Sequence, residues 1–134
     1  MAFLDWSPEL SVGFEEIDND HKKLIEMLNA LSDAVSEVKG NAEIGQVLDD
    51  LLSYTMWHFR HEERLMQTNG YHEFSEHKTQ HGDLAEQATG LKKRFEDGDP
   101  DAAGETLPFL KSWLANHILG TDKKLGAFLG TRMR

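Results

Sequence analysis

Apolar residues recur at three- and four-residue intervals in four stretches of the chain, which predicts four amphipathic helices. The first stretch carries Leu24, Ile25, Leu28, Leu31, Val35 and Val38, with Asp18 as the expected N-cap. The second carries Ile44, Val47, Leu48, Leu51, Thr55 and Leu65, and the third Phe74, Leu84, Ala88, Leu91 and Phe95. The fourth carries Leu107, Leu110, Trp113, Leu114 and Ile118. Breaks fall at Lys39-Gly40-Asn41, Asn69-Gly70 and Asp97-Gly98-Asp99-Pro100, where glycine, asparagine and proline punctuate the pattern. Asp99-Pro100 reads as an N-cap followed by proline at the first helical position. Pro108, inside the fourth pattern, predicts a kink or a restart near Thr106. The expected helices span roughly residues 18–38, 42–68, 71–97 and 100–120 of a single domain covering residues 1–134. Residues 1–17 show no helical period. They predict an extended N-terminal arm in which Phe3, Leu4 and Trp6 pack on the helices. Short connections between amphipathic helices favour an all-α, antiparallel up-down four-helix bundle.

Polar residues interrupt the apolar faces at regular places. His21 continues the stripe of Leu24, Ile25 and Leu28; His58 and Glu62 lie between Thr55 and Leu65. His77 and His81 lie between Phe74 and Leu84, and His117 follows Leu110, Trp113 and Leu114. Burying uncompensated imidazoles and a carboxylate costs roughly several kcal/mol. A metal centre would compensate them together. Residues four apart on a helix differ by roughly 40° and project the same way. His58 with Glu62, and His77 with His81, can each grip one site, and His21 and His117 approach from the other two helices. His117 and Asp122 diverge by roughly 140° on an ideal helix, so both reach one centre only if the helix is distorted between them. Gly120 makes such a break plausible. His61 and His72 lie outside the stripes and are expected on the surface. Glu63 is expected to be solvated or to support a ligand.

Composition narrows the chemistry. The 134 residues suit one core, and the 39% hydrophobic content is enough to fill it. No apolar run approaches the roughly 20 residues of a membrane-spanning helix. The first residues, Met1 to Trp6, do not read as a signal peptide, so a cytoplasmic location is expected. With no cysteine, thiolate ligands and nucleophiles are excluded, and histidine and carboxylate donors remain, which suit iron, zinc or manganese. A formal net charge of −10 argues against nucleic-acid partners. Short loops and a charged surface suit a monomer.

The segments Ile17-Asp18-Asn19-Asp20-His21 and His58-Phe59-Arg60-His61-Glu62-Glu63 resemble the hemerythrins, the bacterial ones especially. So do His77 with His81, and Trp113-Leu114 with His117-Ile118 and Asp122. The likeness runs from Leu4-Asp5-Trp6 through the fourth helix. The resemblance implies two non-haem irons joined by an oxide or hydroxide. His77, His81 and His117 would bind one iron, His21 and His58 the other, and Glu62 and Asp122 would bridge them. Ferritin-like proteins use Glu-x-x-His pairs instead, which this sequence lacks. Counting ligands on two six-coordinate irons leaves one position open, on the iron with two histidines. The implied function is reversible dioxygen binding for carriage, storage or delivery, without enzymatic turnover. Leu114, Trp113 and Leu28 would line the oxygen pocket. The alternatives are an oxygen or redox sensor acting on a protein partner, a peroxide- or nitric oxide-reactive di-iron protein, and a redox-inert zinc site or iron reserve.

Overall fold

The computed structural model describes residues 4–37 and 40–132; Phe3, Val38 and Lys39 lie outside them. Four long helices are observed: α1 (Glu15–Ser36), α2 (Asn41–Asn69), α3 (Phe74–Glu96) and α4 (Ala102–Asn116). A π-helical segment, His117–Asp122, joins α4 to a fifth helix, α5 (Lys123–Arg132). No strand occurs among the described residues. Consecutive helices pack on each other, and α4 closes the ring against α1, as in an antiparallel four-helix bundle. No helix among the described residues is long and apolar enough to cross a membrane.

The helix ends depart from the sequence pattern in instructive ways. α1 begins at Glu15, ahead of the expected start, and its N-cap is Phe14 rather than Asp18. Asp18 instead ties the arm to the first turn. Its Oδ1 accepts the Val12 N–H at 2.8 Å and its Oδ2 accepts the Ser11 hydroxyl at 2.6 Å. α2 ends in a left-handed cap at Gly70, φ 67°, with the Tyr71 N–H donating to the Met66 carbonyl at 2.9 Å. Only glycine takes that conformation at little cost.

At α4 the N-cap is Asp101, not Asp99, because Asp99 Oδ1 accepts the Asp101 N–H at 2.9 Å and closes the preceding turn. Helix α4 runs through Pro108 without a restart at Thr106. Pro108 and Gly104, whose carbonyl loses its helical donor, both face solvent, where water can satisfy that carbonyl. Nor does the last helix stop near residue 120. It continues through the π-helical segment to Arg132.

Two apolar clusters fill the bundle. One, built on Leu24, Leu28, Leu31, Leu48, Leu51 and Leu84, occupies the end holding the α1–α2 connection. The other gathers Ile17, Ile25, Met66, Ile118, Leu125 and Leu129 with Leu10 and Val12 of the arm. Leu4 is fixed by reciprocal bonds with Asn29, at 2.9 and 2.8 Å. The arm comes so close to α5 that a Cβ on Gly126 would sit 2.0 Å from the Val12 carbonyl oxygen. A buried polar layer lies between the two clusters.

Candidate metal centre

Three of the long helices and the π-helical segment that follows α4 contribute to that layer. α1 supplies His21, α2 His58 and Glu62, α3 His77 and His81, and the π-helical segment His117 and Asp122. All seven side chains are buried. Their donor atoms form two overlapping groups, Glu62/His77/His81/His117/Asp122 and His21/His58/Glu62/Asp122.

The two carboxylates are what join the groups. Glu62 Oε2 lies 2.9 Å from His58 Nε2 and 3.6 Å from His21 Nε2. Its Oε1 lies 3.1 Å from His77 Nε2 and 3.0 Å from His81 Nε2. Asp122 repeats the pattern. Its Oδ2 is 2.9 Å from His21 Nε2, and its Oδ1 is 3.0 Å from both His77 and His117 Nε2. Each carboxylate therefore offers one oxygen to each group.

Most of these short approaches are not hydrogen bonds. Among the described residues, His21 Nε2, His81 Nε2, His117 Nε2, Glu62 Oε2 and both Asp122 oxygens are buried without a partner of acceptable geometry. Buried polar atoms left unpaired are rare and costly. Atoms so close yet misaligned are aimed at common points between them, which fits a pair of cations. The local electrostatics agree. Burial works against a charged His58, but the charge of Glu62 and the bond to Asp20 outweigh it and push its pKa up to about 10. His77 goes up to about 9, because the close Asp122 and Glu62 carboxylates overcome the same burial. Glu62 and Asp122 stay far below the ordinary carboxylate range despite burial, held there by the histidines around them. The layer calls for positive charge.

The hemerythrin HHE cation-binding domain matches residues 12–129. The chain belongs to the hemerythrin family. It is 38% identical over 133 residues to the bacteriohemerythrin of Methylococcus capsulatus, covering 96% of this chain and 98% of that one. It is also 38% identical over 123 residues to the bacteriohemerythrin of Stenotrophomonas maltophilia, covering 92% of this chain and 79% of that one. The crystal structure of wild-type hemerythrin superposes with a TM-score of 0.90 at 35% identity, over 96% of this chain and 99% of that one.

Behind the ligand candidates of this hemerythrin stands a graded set of partners. His58 Nδ1 donates to Asp20 Oδ2 at 2.8 Å, and His81 Nδ1 to Glu63 Oε2 at 3.0 Å. His117 Nδ1 donates to the neutral Gln80 Oε1 at 3.0 Å, which also accepts the Thr121 hydroxyl at 2.7 Å. His21 and His77 have no Nδ1 partner among the described residues. Sequence reasoning foresaw Glu63 and missed Asp20 and Gln80. His72 is 77% exposed, as its position predicts. His61 corrects the expectation of a plain surface residue. Its side chain is 19% exposed, and its Nδ1 donates to Asp20 Oδ2 at 2.6 Å. The signal was available: His61 lies three residues after His58 and so on the same side of α2.

A cavity of about 30 Å³ adjoins the layer, bordered by His21, His58, His117 and Asp122. Leu28, Trp113 and Leu114 line it, with Leu24, Leu51, Phe59, Leu84 and Leu110. Thr55 also borders it, but its hydroxyl donates to the Leu51 carbonyl at 2.7 Å, which turns the hydrogen away. Trp113 stacks on His117 with ring centroids 4.3 Å apart.

Proposed function

We propose that this hemerythrin binds dioxygen reversibly at a pair of non-haem irons, for carriage, storage or delivery. His77, His81 and His117 hold one iron, His21 and His58 the other, and Glu62 and Asp122 bridge them. The observation that carries the reading is the unequal pair of donor groups sharing two carboxylates, with a mainly apolar cavity bordered by both histidines of the smaller group and by His117 of the larger. Imidazole and carboxylate donors suit iron. Two ferrous ions supply the electrons that make dioxygen binding possible and reversible.

The chain's own residues account for the rest. The cavity volume exceeds the roughly 10–15 Å³ needed to hold one water-sized molecule, so it admits a small ligand. Its apolar walls favour a diatomic gas over water. The Thr55 hydrogen is committed elsewhere, so the wall supplies no positioned acid of the kind turnover requires. The test is an absorption spectrum of iron-loaded protein in air, after deoxygenation, and after re-exposure. A band that disappears and returns supports reversible binding. Consumption of peroxide or nitric oxide with turnover, or a spectrum indifferent to oxygen, overturns it.

A further inference from the structure

Asp20 Oδ2 is shared. The same oxygen accepts His58 Nδ1–H at 2.8 Å and His61 Nδ1–H at 2.6 Å. Burial opposes the Asp20 charge, yet the bonds from His58 and His61 outweigh it and hold the carboxyl below its usual range. On its outer side His61 bonds Glu16 Oε2 at 3.3 Å and packs against Trp57, ring centroids 5.3 Å apart. Trp57 is 50% exposed. A chain of contacts thus runs from a ligand candidate at the centre, through one carboxylate oxygen, to the surface of α2.

We propose that His61 is a positioning residue for the metal centre, setting through Asp20 how strongly His58 donates to its iron. The inference rests on the di-iron reading above. A carboxylate that accepts the outer N–H of a ligating histidine raises that ligand's basicity. One oxygen divided between two donors serves each less well than it would serve one. His61 therefore tempers the pull of Asp20 on the His58 N–H. It also orients the carboxylate, because Glu16 and Trp57 fix its own ring. His58 belongs to the two-histidine group, so the effect falls on the iron that His21 and His58 would hold. His81, whose supporting carboxylate Glu63 has no second histidine donor among the described residues, and His117, supported by an amide, lack this adjustment.

The signs are fixed by this arrangement. Removing the His61 donor leaves His58 as the remaining histidine donor to Asp20 Oδ2, beside the Tyr54 hydroxyl that also approaches this carboxylate. The His58 ring becomes a stronger donor, the ferric state is favoured, and the midpoint potential falls. Removing the Asp20 carboxylate weakens the donor, and the potential rises. The experiment uses iron-loaded wild type, His61→Phe, His61→Gln, Asp20→Asn and the double variant Asp20→Asn/His61→Phe. Phenylalanine keeps the packing against Trp57 without a donor, and glutamine retains one. Spectroelectrochemistry reads the potential. Proton NMR of the paramagnetic centre reads the exchangeable N–H signals of the coordinated histidines.

The expected result is a lower potential in His61→Phe, a value near wild type in His61→Gln and a higher one in Asp20→Asn. One histidine N–H signal should shift in His61→Phe while those of the other ligands hold. In the double variant the His61 change should have no further effect, since a residue acting only through Asp20 shows full coupling in a double-mutant cycle. Equal potentials in wild type and His61→Phe, or an undiminished His61 effect in the Asp20→Asn background, would overturn the proposal. Wild-type protein without the absorption of a bridged iron pair would overturn the di-iron reading itself, and the spectra distinguish that failure from the others.

Discussion

His117 and Asp122, five residues apart, meet the same atom set because the chain between them makes a single π-helical turn. On an α-helix they would diverge by roughly 140°. The wider turn brings His117 Nε2 and Asp122 Oδ1 to 3.0 Å. Single π turns inside α-helices are frequent at functional sites. This one lets a single continuous helix bring two donors, His117 and Asp122, to the buried layer.

On the proposed di-iron reading, loss of either carboxylate shared by the two donor groups should dismantle the pair. Glu62→Ala and Asp122→Ala are expected to lower bound iron below two per chain and abolish oxo-bridge absorption. His72→Ala, at an exposed position, should retain both. Metal analysis with absorption spectra checks this. Full iron content in Asp122→Ala would remove that residue from the centre.

Iron loading should also stabilise the fold. Each unpaired polar atom in the buried layer costs about 1–3 kcal/mol. A cation that binds only the folded chain adds stability by mass action. Thermal melts of stripped and loaded protein should differ by many degrees. Equal midpoints would mean that the layer is already satisfied by water.

The two forms should respond oppositely to pH. In stripped protein His58 and His77 have folded pKa values of about 10 and about 9, above the ordinary 6.5. Their contribution is fully present below pH 6.5 and is lost as pH rises through 9 and 10. Stripped protein should weaken across that window. Metal needs the neutral imidazoles, so its binding should weaken as pH falls, and loading near pH 7.5 should release protons. Denaturant melts against pH and an indicator dye during loading provide the measurements. Stability of stripped protein that climbs from pH 6.5 to 10 would contradict the assignment.

The sequence pattern carried the bundle and the histidine layer further than it carried the helix ends. Five histidines and Glu62 betray themselves by standing where leucine should stand. Asp122 could be reached from spacing only by supposing a distortion near Gly120, and the family resemblance was needed to choose it, because hydropathy does not encode a π turn. Asp20 was hidden for a different reason. It sits beside His21 among acidic residues, and its role exists only once α1 and α2 are packed. His61 lies off the apolar stripe, yet close enough to its edge to reach inward. Pro108 misled because its helical cost depends on the face it occupies, and here that face is solvent.

Gly126→Ala should loosen the arm. The added Cβ would lie 2.0 Å from the Val12 carbonyl, where rigid backbone cannot yield without moving residues 10–14. Overpacking of this kind costs about 1–3 kcal/mol. The variant is expected to melt several degrees lower and to be cleaved earlier in the arm by limited proteolysis. An unchanged melt and cleavage pattern would show that the arm is not held against α5.

Leu114 should govern how long the oxygenated form survives. It lies three residues before His117, so it projects from nearly the same helix face one turn earlier, and it lines the cavity beside His21 and His58. Leu114→Ala enlarges a space that already admits a small ligand. The added room, with polar donor atoms at its floor, meets the conditions for an ordered water. Water there would give a bound ligand the proton source and solvation that the apolar wall denies it, so the oxygenated form would be lost sooner. Leu114→Tyr instead sets a hydroxyl at the wall, where it can hold the bound ligand by a hydrogen bond. In stopped flow the oxygenated spectrum of Leu114→Ala should decay faster than wild type, and that of Leu114→Tyr more slowly. If Leu114→Ala decays no faster, solvent is excluded by another wall, and Trp113, stacked on His117, becomes the residue to change.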